Sequence, residues 1–104
     1  MINSLEAEDL KKLLEREQVI IIDVREQSEY DESNIEGSVL IPLGELSIEQ
    51  VKKAANGVKK IVFQCRSGVR SLRACHIISE QDDTLELYNL EGGIIAWEAA
   101  NKPE

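Results

Sequence analysis

In the segment Gln64-Cys65-Arg66-Ser67-Gly68-Val69-Arg70-Ser71, a cysteine is followed within five residues by two arginines, a serine and a glycine. Residues of these types at this spacing suit the stabilisation of a thiolate. A free cysteine titrates near pH ~8.5, so only a few per cent is anionic at neutral pH, and the anion is the nucleophile. Lowering that pKa by about 2 units needs roughly 2.7 kcal/mol of preference for the charged form. Several amide donors, a helix terminus and nearby guanidinium groups can supply it together. Ser67 and Gly68 suit a tight turn with inward-facing amides, and Gly68 can take a positive φ without a Cβ clash. The competing reading makes Cys65 a buried strand-end residue and leaves Arg66 and Arg70 as solvated charges. A cationic glycine turn at this point in the pattern speaks against it.

The flanking residues say what must position the cysteine. Lys60-Ile61-Val62-Phe63 reads as a buried strand and Ser71 to Ile78 as a helix, which puts Cys65 at the carboxyl end of the strand under the amino terminus of the helix. Unpaired N–H groups and the positive end of the helix dipole favour an anion there. Val19 to Val24 is a second continuous apolar strand, of the kind covered on both faces. Asp23 falls at its carboxyl end.

The rest of the pattern alternates strands with helices. Ser4 can cap a first helix carrying Glu6, Glu8 and Asp9 in its opening turn, with Leu10, Leu13 and Leu14 as a buried stripe. Glu26 to Glu32 reads as a short helical turn with Tyr30 inward, and Val39 to Ile41 as a strand stopped by Pro42. Ser47 and Gln50 fit a capping box for a helix ending near Asn56-Gly57. Leu85 to Leu90 is one more strand, and Gly92-Gly93 precede a last helix with Ile94, Ile95 and Trp97. This order predicts an α/β fold with a mainly parallel sheet, whose sites lie beyond the carboxyl ends of the strands.

Composition narrows the function classes. At 104 residues, 1–104 is expected to be a single domain. A net charge of −8 argues against nucleic acid and anionic membrane surfaces as partners. Locally the charge reverses: Arg66, Arg70 and Arg73 follow Cys65, and no acidic residue occurs before Ser79. An electropositive mouth that draws in small anions is expected. The longest apolar run, Val19 to Ile22, is too short for a bilayer, and the first residues lack the features of a secretory signal, so the cytoplasm is the expected compartment. Two cysteines are then expected reduced. Cys75, about two turns into the helix, would lie on the order of 10 Å from Cys65, beyond the ~7 Å limit for a disulfide. It reads as a buried side chain sharing a face with Leu72 and Ile78. Two cysteines and His76 cannot supply a credible metal set, no cofactor is expected, and Trp97 reads as a core anchor.

Cys65-Arg66-Ser67-Gly68-Val69-Arg70-Ser71, Asp23-Val24-Arg25 followed by Glu29-Tyr30, and Leu90-Glu91-Gly92-Gly93-Ile94-Ile95-Ala96-Trp97 together resemble a single-domain rhodanese. The resemblance runs almost from end to end, with three motifs in the right order. It implies a five-stranded parallel sheet flanked by helices on both faces, and a Cys65 that carries sulfane sulfur as a persulfide. Thiosulfate or a related anion would be the donor, and cyanide or a thiol, including that of a thioredoxin-like protein, the acceptor. Arg66, Ser67, Gly68, Val69 and Arg70 would bind the substrate. Asp23 and Arg25 would brace the site, with Arg25 able to pair with Glu29; the alternative for them is a surface ion pair worth ~0–1 kcal/mol.

Loop length separates this reading from its chemical rival. Cysteine phosphatases use a cysteine, five residues and an arginine, whereas Arg70 follows Cys65 after four and position 71 is serine. The arginines also favour thiosulfate over mercaptopyruvate, whose sulfurtransferases usually have a glycine after the cysteine. One departure stands out: where the family usually reads Gly-His-Ile-Pro-Gly-Ala, this chain has Ser33-Asn34-Ile35-Glu36-Gly37-Ser38. Asn34 replaces a histidine that is not the nucleophile, so packing near Asp23 is affected more than reaction type. A relay module receiving persulfide from a protein partner, with little activity on free thiosulfate, is the second hypothesis.

Overall fold

A computed structural model describes residues 2–101. Five strands, β1 (Ile2–Leu5), β2 (Ile20–Asp23), β3 (Val39–Leu40), β4 (Lys60–Gln64) and β5 (Glu86–Leu90), form one sheet in the order β1-β5-β4-β2-β3. Every neighbouring pair is parallel. The five helices are α1 (Ala7–Arg16), α2 (Gln27–Glu32), α3 (Ile48–Ala55), α4 (Val69–Gln81) and α5 (Gly93–Ala100), with one 3-10 turn at Leu43–Glu45.

The alternation of side chains along the central strands builds a core on each face of the sheet. Ile61 and Phe63 of β4 join Ile22, Val51 of α3 and Ile78 of α4 in one cluster. Val62 joins Ile21, Leu10 of α1, Leu90 and Ile94 of α5 in the other. Both faces are thus covered, as the apolar runs require. The order of strands reverses between β2, which leads to β3 on one side, and β4, which leads to β5 on the other. Ligands in open α/β sheets bind beyond the carboxyl ends at such a point. Asp23 and Gln64 are paired in register there, and Cys65 is the next residue.

Several local expectations are met. Ser47 accepts from the Gln50 amide at 3.3 Å, Asn56 ends α3 in the left-handed region at φ 47°, and the Tyr30 hydroxyl turns inward to donate to Ser38 O at 2.7 Å. Others are corrected. Ser4 does not cap α1 but lies in β1, because Ile2 to Leu5 find backbone partners on β5; its hydroxyl donates to Glu91 at 2.8 Å. Glu6 is the cap instead, in a box with Asp9. Of the leucine stripe only Leu10 is fully buried; Leu13 is half-buried and Leu14 is 39% exposed. Leu72 is exposed, so Cys75 shares its buried face with Ser71, Ala74 and Ile78. Asn34 is exposed, with its side-chain amide donating to Tyr30 O at 3.0 Å.

Candidate active site

β4 delivers Cys65 to the switch point, and the chain turns at Gly68 into α4. Gly68 caps that helix at φ 107°, a conformation that would strain any residue with a Cβ. The turn aims the Gly68 N–H at Cys65 Sγ, 3.1 Å away. Ser71, in the first turn of α4, places its Oγ 3.4 Å from the same sulfur. Burial, the largest influence, pushes the Cys65 thiol up. The Ser71 hydroxyl and the amides of Ser71, Gly68 and Ser67 more than reverse it, and the net shift is downward. Of the amides expected between Arg66 and Arg70, those of Ser67 and Gly68 act on the sulfur, and that of Ser71, one residue beyond the expected stretch, joins them.

The other side of the cysteine peptide is gripped by α5. Ile94 and Ile95 donate their N–H groups to the carbonyls of Cys65 at 2.9 Å and Arg66 at 3.3 Å. Gly93 makes this possible, because a Cβ there would run into both carbonyls. Cys65 ends up only 1% exposed.

The arginines divide unequally. Arg70 donates through both terminal nitrogens to the Glu29 carboxylate, at 2.8 and 2.9 Å. Arg70, together with the Glu26 amide, lowers the Glu29 carboxyl to about 2. The expected Arg25–Glu29 pair is thus corrected: Arg25 turns inward to Asp23, with Nη2–Oδ2 at 2.7 Å, and also donates to Ser33 O at 2.7 Å. Both residues are buried, so the alternative of a surface pair for Asp23 and Arg25 is also set aside. Arg66 is exposed and lines a cavity of about 240 Å³ with Arg25, Glu29, Ser33, Ile95 and Glu98. The cationic mouth is therefore partly neutralised by α2. The Val69 side chain, 76% exposed, contributes no buried contact to the cradle.

Cys75 is free and buried, and burial pushes its thiol up to about 12, which removes it as a nucleophile at neutral pH. His76 is exposed on α4. Trp97 packs half-buried against the α1–α5 face. Among the described residues, no group of three or more His, Cys, Asp or Glu could hold a metal ion.

Sequence reasoning passed over Asn89. It is a polar residue in β5, 3% exposed, that accepts from Ser71 Oγ and donates to Gly68 O at 3.2 Å. The available signal was an amide side chain between Tyr88 and Leu90, near the carboxyl end of a strand that follows the apolar β4 in the pattern. Gln64 is buried as well, and its side-chain amide finds no hydrogen-bond partner among the described residues.

Residues 6–100 match the Rhodanese-like domain family. The chain is 38% identical over 96 residues to the YtwF protein of Bacillus subtilis, covering 91% of this chain and 89% of the relative. It is 30% identical over 89 residues to the thiosulfate sulfurtransferase GlpE of Pseudoalteromonas translucida, covering 86% of this chain and 82% of that protein. The crystal structure of a rhodanese-related protein from Thermoplasma volcanium superposes with a TM-score of 0.79 at 30% identity, covering 97% of this chain and 95% of that one.

Proposed function

The chain belongs to the rhodanese-like sulfurtransferase family, and on that premise we propose that it moves sulfane sulfur from thiosulfate, or a related anionic donor, to cyanide or a thiol through a persulfide on Cys65. The observation that carries this reading is the cradle around Sγ: the Gly68 amide at 3.1 Å and the Ser71 hydroxyl at 3.4 Å, with the thiol lowered despite its burial. In the first step the Cys65 thiolate attacks the outer sulfur of thiosulfate. A sulfur–sulfur bond forms on Sγ, the donor's own sulfur–sulfur bond breaks, and sulfite leaves with that electron pair. In the second step cyanide or a thiolate attacks the outer sulfur of the persulfide and Cys65 leaves as the thiolate, so no external oxidant or reductant is consumed.

The inward amides suit both anionic forms of the cysteine, and burial selects for a small reacting group. Arg66 is the exposed cation of the loop and supplies the draw on the donor. Incubation with thiosulfate is expected to add the mass of one sulfur atom to Cys65, and Cys65→Ala is expected to abolish both this adduct and turnover. An unloaded wild-type protein, or an active Cys65→Ala variant, overturns the proposal.

A second reading rests on the Arg70–Glu29 pair. With one of the two loop arginines engaged, the draw on a free dianion is weakened, which favours a relay receiving persulfide from a protein. Loading by a protein persulfide at rates far above those with thiosulfate would select it.

A further inference from the structure

Ser71 Oγ carries one proton and has two acceptors within reach, Cys65 Sγ at 3.4 Å and Asn89 Oδ1. The orientation of the Asn89 amide is settled by its other end, which donates to Gly68 O at 3.2 Å, so the oxygen must face Ser71. In the structure the hydroxyl donates to Asn89, and the neutral thiol can complete the chain by donating to Oγ. All these groups are buried: Ser71 at 0%, Cys65 at 1% and Asn89 at 3%. A buried acceptor that loses its donor costs about 1–3 kcal/mol.

From this geometry we infer that Asn89 is a positioning residue acting through Ser71, as an alternative acceptor that takes the hydroxyl when Sγ is uncharged and gives it up when Sγ is a thiolate. The proton stays on Oγ throughout; only the direction of the O–H bond changes. The consequence follows from where charge sits, and it rests on the persulfide reading above. A thiolate on Sγ can be solvated by Ser71 only if Asn89 Oδ1 is left without its donor. In the persulfide the charge moves to the outer sulfur, the hydroxyl returns to Asn89, and no anion on Sγ is left without it. Asn89 thereby disfavours the empty thiolate relative to the loaded form. It also ties Gly68, whose amide meets the sulfur, to β5.

The charged groups near the sulfur lie outside this exchange. Arg70 from α4 is engaged by Glu29 from α2, Asp23 at the end of β2 pairs with Arg25 just after it, and Arg66 is exposed. Neutral substitutions at 71 and 89 leave all of them in place.

The test is a double-variant cycle on the whole chain, read as the pH profile of Cys65 alkylation by iodoacetamide, which needs no sulfur transfer. Asn89→Leu removes the acceptor and also loosens Gly68, whereas in a Ser71→Ala background only the Gly68 effect remains. The expected result is that Asn89→Leu shifts the alkylation midpoint to lower pH, relative to its own effect in the Ser71→Ala background, by about half a unit or more. Asn89→Ser, too short to reach either partner and free of overpacking, should give the same sign if Asn89→Leu fails to fold. Equal shifts in both backgrounds, or coupling of the opposite sign, overturn the inference even if the protein transfers sulfur normally. Absence of transfer with the coupling intact would instead count against the proposed function alone.

Discussion

Arg70 has both terminal nitrogens on the Glu29 carboxylate, so the charge beside Cys65 is offset by a residue 41 positions earlier in the chain. This tunes which reagents the sulfur meets. Glu29→Gln should raise the rate of Cys65 alkylation by anionic iodoacetate over that by neutral iodoacetamide by about five-fold, matching about 1 kcal/mol for one unit charge near 4 Å in water. An unchanged ratio would mean that anions approach by a route that does not pass Arg70. The pH window follows from the Glu29 shift. Its folded value is about 2 against roughly 4.3 in an unfolded chain, so the stability it contributes is complete above the unfolded value and is lost as pH falls through the folded one. From pH 5 upward the pair should therefore be insensitive to pH. The arginines and the cysteine were legible in the sequence as candidate chemistry. Their partners were not, because an acidic residue in α2 and an amide in β5 reach the loop only through the order of the strands.

At the scale of elements, the site is a junction held from two sides. α4 supplies its first turn to the sulfur, and α5 supplies its first amides to the carbonyls of Cys65 and Arg66. Gly93 sits where those backbones meet, at φ 56°. Gly93→Ala should cost several kcal/mol, since the strain of the left-handed region, about 1–3 kcal/mol, adds to contact with backbone that cannot yield. Urea unfolding would measure the loss, and faster hydrogen exchange at Ile94 and Ile95 would locate it. Gly37 supplies the control. It has a positive φ of 83° but nothing within 4 Å of where a Cβ would lie, so Gly37→Ala should show the conformational strain alone. Comparable losses for the two would mean that α5 does not lean on the loop. The misplacement of Ser4 belongs to this scale too. Its side chain suits a helix cap, but an available strand edge on β5 pairs the Ile2–Leu5 backbone along one side and outweighs one capping bond.

For the molecule as a whole, the sheet divides the core into two clusters, and the same strands feed both. Phe63 lies fully buried in one and Leu10 in the other. Phe63→Ala should cost about 3–5 kcal/mol and Leu10→Ala about 2–5 kcal/mol. Because β4 carries Phe63 and Val62 to opposite faces, both losses should appear in one cooperative transition. Trp97 fluorescence, which reports the α1–α5 face, and far-UV circular dichroism should therefore shift together in each variant; separate midpoints would mean that the faces unfold independently.

The sequence by itself determined the alternation of strands and helices, the two-faced burial of the central strands and the place of Cys65 at a strand-to-helix turn, because apolar periodicity and glycine stereochemistry are local properties. Only the tertiary structure decided who answers whom. It gave Arg70 to Glu29, which leaves Arg25 to its near neighbour Asp23, and the Ser71 hydroxyl to Asn89 rather than to the cysteine alone. The physical reason is that hydrogen bonds and ion pairs are set by approach within about 3 Å, and such approach between residues far apart in the chain exists only once β2, β4 and β5 lie side by side.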